Sequence, residues 1–313
     1  MPPPQDGNVY LPFADLVRLE KVDDRTFQST AMPFAPGGPV GQRRAYGGHV
    51  YMQAAWAACQ TVAEGFLLHN VTGNFLLPGS VTTKFTYRVY VIRDGRSYAT
   101  RIVNVTQAQG KGICFTCTCL FKVPETSPLD AQEKVDLWSK YEDVLGGNKP
   151  SDFEECPGMD VPWYWRRRRE TGLNDAFPGL TARKVDMQRY NESRHPLDRR
   201  QLILYRTLGN LPNDPNMHLC AHLYASDRNS LYIVANHLDI GDPLKAHEVA
   251  VVAKSAAATV AAASASASAP ATPGSPVPDP VRPAAGLSAG PSPSAASISA
   301  EPAGRDEKDT KVM

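Results

Sequence analysis

Residues 44–62 read R-A-Y-G-G-H-V-Y-M-Q-A-A-W-A-A-C-Q-T-V. After Gly47 and Gly48 the stretch has no proline or glycine and many alanines, a composition that favours helix. At helical spacing His49, Gln53, Trp56 and Gln60 fall in one narrow stripe, being 4, 3 and 4 residues apart. The rest of the helix surface is Val50, Tyr51, Met52, Ala54, Ala55, Ala57, Ala58, Cys59 and Val62. A helix that is apolar nearly all round is a buried helix, and its small residues let a neighbour pack close.

Downstream of this helix the apolar residues recur with period two. In residues 71–77, Val71, Gly73, Phe75 and Leu77 share a face, with Thr72 and Asn74 opposite. In residues 82–92 the shared face is Thr83, Phe85, Tyr87, Val89 and Val91. Arg93-Asp94-Gly95-Arg96 supplies a hairpin turn. Residues 97–107 then place Ala99, Val103 and Val105 on one face, with Arg101 among them. After a second turn at residues 109–112, residues 113–122 alternate Ile113, Phe115, Cys117, Cys119 and Phe121 against Cys114, Thr116, Thr118 and Leu120. One buried helix followed by an antiparallel meander packs most simply with the sheet wrapped around the helix, an α+β arrangement.

Three segments carry a specific resemblance. Y-G-G-H-V-Y-M-Q-A (46–54), L-L-H-N-V-T-G-N-F-L-L-P-G (67–79) and V-I-R-D-G-R-S-Y-A-T-R (91–101) resemble, in order and spacing, the first domain of the type II acyl-CoA thioesterases. The resemblance implies a double hot-dog fold and hydrolysis of acyl-CoA to free acid and CoA, with no metal and no redox cofactor. It also implies acyl-CoA as the substrate partner, and the fold leaves room for a homo-oligomer.

Ahead of the helix, residues 16–30 read as a strand pair turning at Asp23-Asp24, and residues 31–42 are too rich in Pro and Gly for regular structure. The first hot-dog domain is expected over residues 1–125 and a linker over 126–179, with one acidic helix at residues 129–145. Trp163-Tyr164-Trp165 followed by Arg166–Arg169 has the residue types that grip nucleic acid, aromatics for stacking and arginines for phosphates. The flanking Asp152, Glu154, Glu155, Asp160 and Glu170 instead predict internal pairing or a solvated face, so no nucleic-acid partner is expected.

From Leu180 the first pattern restarts. Arg183-Lys184-Val185-Asp186 echoes Glu20-Lys21-Val22-Asp23, residues 201–208 read as a strand, and Asn213-Asp214-Pro215-Asn216 signals a helix start. Residues 217–234 would be the second buried helix. This is expected to be a partial second hot-dog domain over residues 180–245, resembling the family's second copy. Its Y-A-S-D-R-N-S-L (224–231) matches the motif carrying the family's catalytic aspartate, which makes Asp227 the candidate base. The resemblance further implies a hydroxyl residue and a glutamine on later strands, and no segment after Asp242 matches either. Residues 246–313 form an Ala/Ser/Pro-rich tail, and from about Ser264 its composition predicts disorder.

Three further positions are candidates for substrate binding. His69 stands where the family has a histidine, and imidazole can shuttle protons near neutral pH; a structural His at a strand start is the simpler reading. Gly47 and Gly48 would allow close approach of substrate or sheet, or offer a helix N-terminus to an oxyanion; a plain turn is the alternative. The runner-up for the whole chain is a catalytically impaired acyl-CoA-binding or interaction module. A hot-dog hydratase acting on enoyl-CoA comes third.

Composition narrows the setting. Lys and Arg total 33 against 32 Asp and Glu, so no whole-protein field draws the chain to nucleic acid or membrane. The opening M-P-P-P-Q-D-G lacks signal-peptide character, and no run approaches the ~18 apolar residues of a membrane span. An intracellular location follows, in the cytoplasm or, by family resemblance only, the peroxisome. The terminal Lys-Val-Met is not the Ser-Lys-Leu address. The six cysteines lack zinc spacing and read as small buried hydrophobes in a reducing compartment.

Overall fold

The computed structural model describes residues 8–37, 44–108, 110–172 and 176–238. The tail from 246 and the strands sought after Asp242 lie outside the described residues. The chain opens with α1 (Phe13–Val17), β1 (Leu19–Asp23) and β2 (Thr26–Ser29), followed by α2 (Gly47–Cys59). Next come β3 (Leu67–Phe75), β4 (Phe85–Asp94), β5 (Tyr98–Gln107) and β6 (Phe115–Lys122). The six strands form one antiparallel sheet in the order β1-β2-β4-β5-β6-β3.

The sheet wraps α2, as expected of a hot-dog domain. Its inward face is the alternating set read from the sequence: Phe85, Tyr87 and Val89 from β4, Ala99, Val103 and Val105 from β5, and Phe115, Cys117, Cys119 and Phe121 from β6. The register puts Tyr87 opposite Val105, Val103 opposite Cys117 and Ala99 opposite Phe121, so these side chains pack in rows on the helix. On α2, Met52, Ala54, Ala55, Ala57 and Ala58 are fully buried. Burial of each large apolar side chain here contributes roughly 1.5–3 kcal/mol.

Buried polar groups in this core are paired where they tie elements together. Gln53 donates from Nε2 to the Leu16 carbonyl and accepts at Oε1 from Ser29 Oγ (2.8 Å) and the Tyr87 hydroxyl (2.7 Å). It thereby links α2 to the end of α1, to β2 and to β4. Arg101, on the apolar face of β5, is 1 % exposed. Its guanidinium donates to Thr61 Oγ1 and O, to the Arg93 and Thr100 carbonyls, and to Asp94 Oδ1 at 2.6 Å. The end of α2 is thus bound to the β4–β5 hairpin, and the buried charge has the partners that burial demands.

Two strand limits differ from expectation. β3 begins at Leu67 rather than Val71, because Leu67 to Asn70 pair with the end of β6 across an irregularity at His69. β6 begins at Phe115 rather than Ile113. There the Cys114 carbonyl accepts from both Leu76 and Leu77 N–H, while its own N–H donates to the Val105 carbonyl. Phe75 and Leu76 are left 59 % and 55 % exposed at the end of β3.

The single acidic helix expected at 129–145 is instead two short turns, α3 (Leu137–Lys140) and α4 (Glu142–Leu145). Asp136 caps the first by accepting from Trp138 and Ser139 N–H, and Tyr141 (φ −118°, ψ 26°) breaks the path between them. α5 (Pro162–Thr171) carries the aromatic and arginine run. Its members engage one another and the protein: Trp165 Nε1 donates to Asp160, and Arg167 and Arg168 lie over Trp163 and Trp165.

The second half then supplies β7 (Leu180–Lys184), α6 (Gln188–Asn191) and β8 (Ile203–Thr207), with β7 and β8 paired antiparallel. α7 (Pro215–Ser226) and α8 (Ile233–His237) follow. Asp214 caps α7 by accepting from Asn216 and Met217 N–H, the start signal read from the sequence. The expected helix over 217–234 is broken after Ser226. Asn229 takes φ +66°, a left-handed conformation that asparagine tolerates and a continuing helix cannot hold.

α7 packs on α2, and its buried Met217, Cys220 and Tyr224 join the core of the first sheet. The Tyr46 hydroxyl donates to the Tyr224 carbonyl (2.6 Å), and the Tyr224 hydroxyl to that of Pro178 (2.5 Å). Rings of Phe34, Tyr46, Phe177 and Tyr224 meet edge-on or tilted at 5.1–5.8 Å between centroids. Asn216 reaches β3, accepting from Leu68 N–H and donating to the Phe66 carbonyl. Among the described residues no helix is long and apolar enough to cross a membrane.

Candidate functional site

The side chain of Asp227 leaves the end of α7 and meets the first turn of α2. Its Oδ2 accepts from Gly48 N–H at 2.8 Å, joining residues 179 apart in the chain. Oδ1 has no hydrogen-bond partner among the described residues. A helix start carries unpaired N–H groups and the positive end of the helix dipole, so it favours a carboxylate. Burial acts the other way. The carboxyl is half-buried, and this raises its pKa above the ordinary aspartate value, with the Gly48 N–H partly offsetting the rise.

The two glycines make this approach possible. A Cβ on Gly47 would lie 2.9 Å from Asp227 Oδ2 and 3.0 Å from the Phe75 ring. A Cβ on Gly48 would lie 2.7 Å from the Tyr224 carbonyl and from the Tyr46 ring. Of the readings open to Gly47-Gly48, the geometry therefore gives close approach, and what approaches is α7 with its aspartate.

Two cavities meet at Asp227, and both also touch Arg44, Ala45 and Gly47. One, of about 410 Å³, is walled by Val50, Phe75, Leu76, Leu77, Phe85 and Phe115. It accounts for the exposed Phe75 and Leu76 as an apolar groove. The other, of about 190 Å³, is bordered by Tyr46, Phe177, Arg228 and Asn229. A half-buried carboxylate thus stands where two largely apolar cavities meet, an arrangement suited to activating water beside a bound apolar chain.

Of the residues singled out in the sequence, Asp227, Gly47 and Gly48 are brought together. His69 is not: it sits exposed in β3 and lines neither cavity. Arg44, Arg228, Asn229 and the Phe75-Leu76-Leu77 run were missed. The last carried a signal, since three consecutive large apolar residues break the alternation of the strand. Among the described residues no group of three or more His, Cys, Asp or Glu side chains is placed to hold a metal ion.

His49, two residues into α2, is fully buried, with the rings of Phe34 and Phe85 at 6.2 and 6.3 Å. Neither ring nitrogen is hydrogen-bonded. Burial lowers its pKa to about 4, an effect the Gln53 side chain only partly offsets. The folded protein therefore holds it neutral while the unfolded chain protonates near 6.5. A depressed folded pKa gives stability that is present above pH 6.5 and lost as pH falls toward 4, up to about 3 kcal/mol. His49→Leu should remove that component. Thermal unfolding followed from pH 7 to 4 should show a shallower loss in the variant, and equal losses would contradict a neutral buried imidazole.

Parts of the chain are similar to known proteins. Residues 35–122 match the acyl-CoA thioesterase N-terminal domain. Acyl-CoA thioesterase 2 of Haemophilus influenzae is 26 % identical over 252 residues, covering 77 % of this chain and 78 % of that protein. Over these stretches the chain is similar to acyl-CoA thioesterases of type II. Peroxisomal acyl-coenzyme A thioester hydrolase 1 of Saccharomyces cerevisiae is 27 % identical over 153 residues, which is 48 % of this chain and 42 % of the yeast protein. An acyl-CoA thioesterase II of Mycobacterium marinum, TesB2, superposes with a TM-score of 0.47 at 22 % identity, covering 71 % of this chain and 69 % of that one. The matched stretch contributes Gly47, Gly48 and the Phe75–Leu77 wall. Asp227 comes from α7, beyond that match.

Proposed function

We propose that the protein hydrolyses fatty acyl-CoA, or a related acyl thioester, to the free acid and CoA, with Asp227 as the general base. The observation that carries this reading is the Asp227–Gly48 contact, which fixes one carboxylate oxygen and leaves the other unpaired between the two cavities. The acyl chain lies along Phe75, Leu77 and Phe115. Oδ1 takes a proton from a water molecule as that water attacks the thioester carbonyl carbon. The tetrahedral intermediate then expels the CoA thiolate, which recovers the proton from Asp227 and leaves as the thiol.

Gly48 N–H holds Oδ2 throughout, so the base is positioned before substrate arrives. The hydroxyl residue and the glutamine that the family resemblance implies have no matching segment after Asp242. The same reading puts the protein inside the cell, in the cytoplasm or in the peroxisome. The yeast relative, named as peroxisomal, supports the second. β3 lies at the edge of the described sheet, and its outer edge offers a route to a homo-oligomer by strand addition.

Release of free thiol by the full-length protein, measured across acyl-CoAs of increasing chain length, tests the reading. Saturable release for at least one chain length is expected. Binding of acyl-CoA without any release favours the impaired binding module instead.

A further inference from the structure

The larger groove at Asp227 is bordered by an exposed ring. Phe75, the last residue of β3, is 59 % exposed, and the tip of its ring comes up to Gly47, the same glycine that Asp227 Oδ2 reaches. The ring packs on Phe115 at 4.6 Å between centroids. Phe115 is propped edge-on by Tyr51 at 5.7 Å, and the Tyr51 hydroxyl donates to the Val71 carbonyl at 2.9 Å. Three rings thus bridge from the first turns of α2 to β3 and β6.

The residues behind this bridge are small. The register pairs Phe75 with Phe115, then Gly73 with Cys117, then Val71 with Cys119, all on the face that covers the helix. From α2, Ala54, Ala55 and Ala58 join the same core. The edge of the Phe115 ring takes the place of a side chain at position 73: a Cβ there would lie 2.8 Å from Phe115 Cε2 and 3.2 Å from Cys117 Cβ. The Phe85 side of the groove is backed by bulk instead. The Tyr87 and His49 rings lie 6.4 and 6.3 Å from that of Phe85, and the Tyr87 hydroxyl is tied to Gln53. An apolar chain entering at Asp227 can therefore run deeper only along the seam between α2 and β6, and the Phe75–Phe115 pair closes that seam.

We infer that Phe75 is the stopper that sets the length of acyl chain the groove accepts. The inference rests on the reading of Asp227 as the base, which puts the thioester at the tip of this ring. The chain then lies against the outer face of Phe75, beside Leu77, and is kept out of the seam. Each methylene covered there raises kcat/KM by at most roughly fourfold. Once the chain has passed the exposed Leu76, further carbons hang in water and add nothing. Long-chain thioesters thus have no advantage over those of medium length.

Straight-chain acyl-CoAs from butanoyl to hexadecanoyl, and their non-hydrolysable thioether analogues, test this on the full-length protein. Thiol release gives kcat/KM, and calorimetry gives the affinity of the analogues. Wild type is expected to climb with chain length and level off at a medium chain. In Phe75→Ala the seam opens, so the climb should continue. Hexadecanoyl-CoA should then gain on the order of tenfold or more over the chain at which wild type levels off. Phe75→Tyr keeps the ring and should keep the wild-type profile. Phe75→Leu should move the levelling point part-way, and it decides the question should the alanine variant fail to fold. Each protein is compared with itself across chain lengths, so a uniform loss of activity from a disturbed fold leaves the profile where it was.

If no chain length is hydrolysed, but analogue binding levels off and the levelling point moves in Phe75→Ala, the stopper stands and the Asp227 reading falls. If wild type climbs through hexadecanoyl without levelling, the stopper is refuted. It is equally refuted if folded Phe75→Ala levels off where wild type does, whatever the rate of hydrolysis.

Discussion

Asp227→Asn is expected to lower thioester hydrolysis by about a hundredfold to ten-thousandfold, with acyl-CoA binding retained. The side-chain amide keeps the shape of the carboxyl and an oxygen for the Gly48 N–H, so the walls of both cavities should stay in place. What is lost is the capacity to take a proton. The folded protein should not suffer. Because burial raises the aspartate pKa, its favourable contribution to stability is present below the unfolded value of 3.8 and is lost as pH rises through the folded one. At neutral pH the neutral amide removes that burden, so Tm at pH 7 should be no lower than in wild type.

The wild-type rate should fall as pH drops through the raised pKa, giving an acid limb above that of an ordinary aspartate. Equal thiol release by the two proteins would remove Asp227 from the mechanism.

Gly48→Ala is expected to destabilise the fold and slow the reaction together. By helix propensity alone, alanine inside α2 would stabilise by about 1 kcal/mol. The packing predicts the opposite sign. The added methyl would sit 2.7 Å from the Tyr224 carbonyl and from the Tyr46 ring, and the first of these is backbone. Relief requires α7 to move away from α2, at a cost of about 1–3 kcal/mol typical of an overfilled core. The same movement carries Asp227 off its anchor, and misplacement by about 1 Å can cost a hundredfold in rate. Thermal unfolding and kcat/KM on the same preparation read both effects. A variant more stable than wild type with full activity would show that the close approach of the two helices is dispensable.

The parts of this structure that the sequence made legible are those whose burial is decided inside one element. Helix α2 has apolar and small residues all round, and β4, β5 and β6 alternate without interruption. Even Arg101 was visible as an anomaly on an apolar face, and the structure resolves it with bonds to Thr61, Asp94 and nearby carbonyls. The break after Ser226 was not legible, because Asp-Arg-Asn in a helical run says nothing of where each side chain goes. That was fixed by contacts made with the other half of the chain.

The site shows the same division. Asp227 was found through a motif resemblance, and Gly47-Gly48 through the absence of side chains. Their meeting at 2.8 Å across 179 residues is a tertiary fact that no local pattern carries. Arg228 gave no sign of being buried, since arginine next to aspartate in a sequence ordinarily reads as solvated. His69 stands out only by its position in the family pattern. His49 was noted only as part of a stripe, yet it is the imidazole enclosed by the core.

The thioester is expected to be cleaved where α7 meets the start of α2. A crystal structure of full-length Asp227→Asn protein with bound acyl-CoA tests this most directly. The thioester carbon should lie within about 3–4 Å of the position 227 side chain or of a water bound to it, with the acyl chain along Phe75 and Leu77. A thioester bound elsewhere, with the junction of the two helices empty, would contradict it.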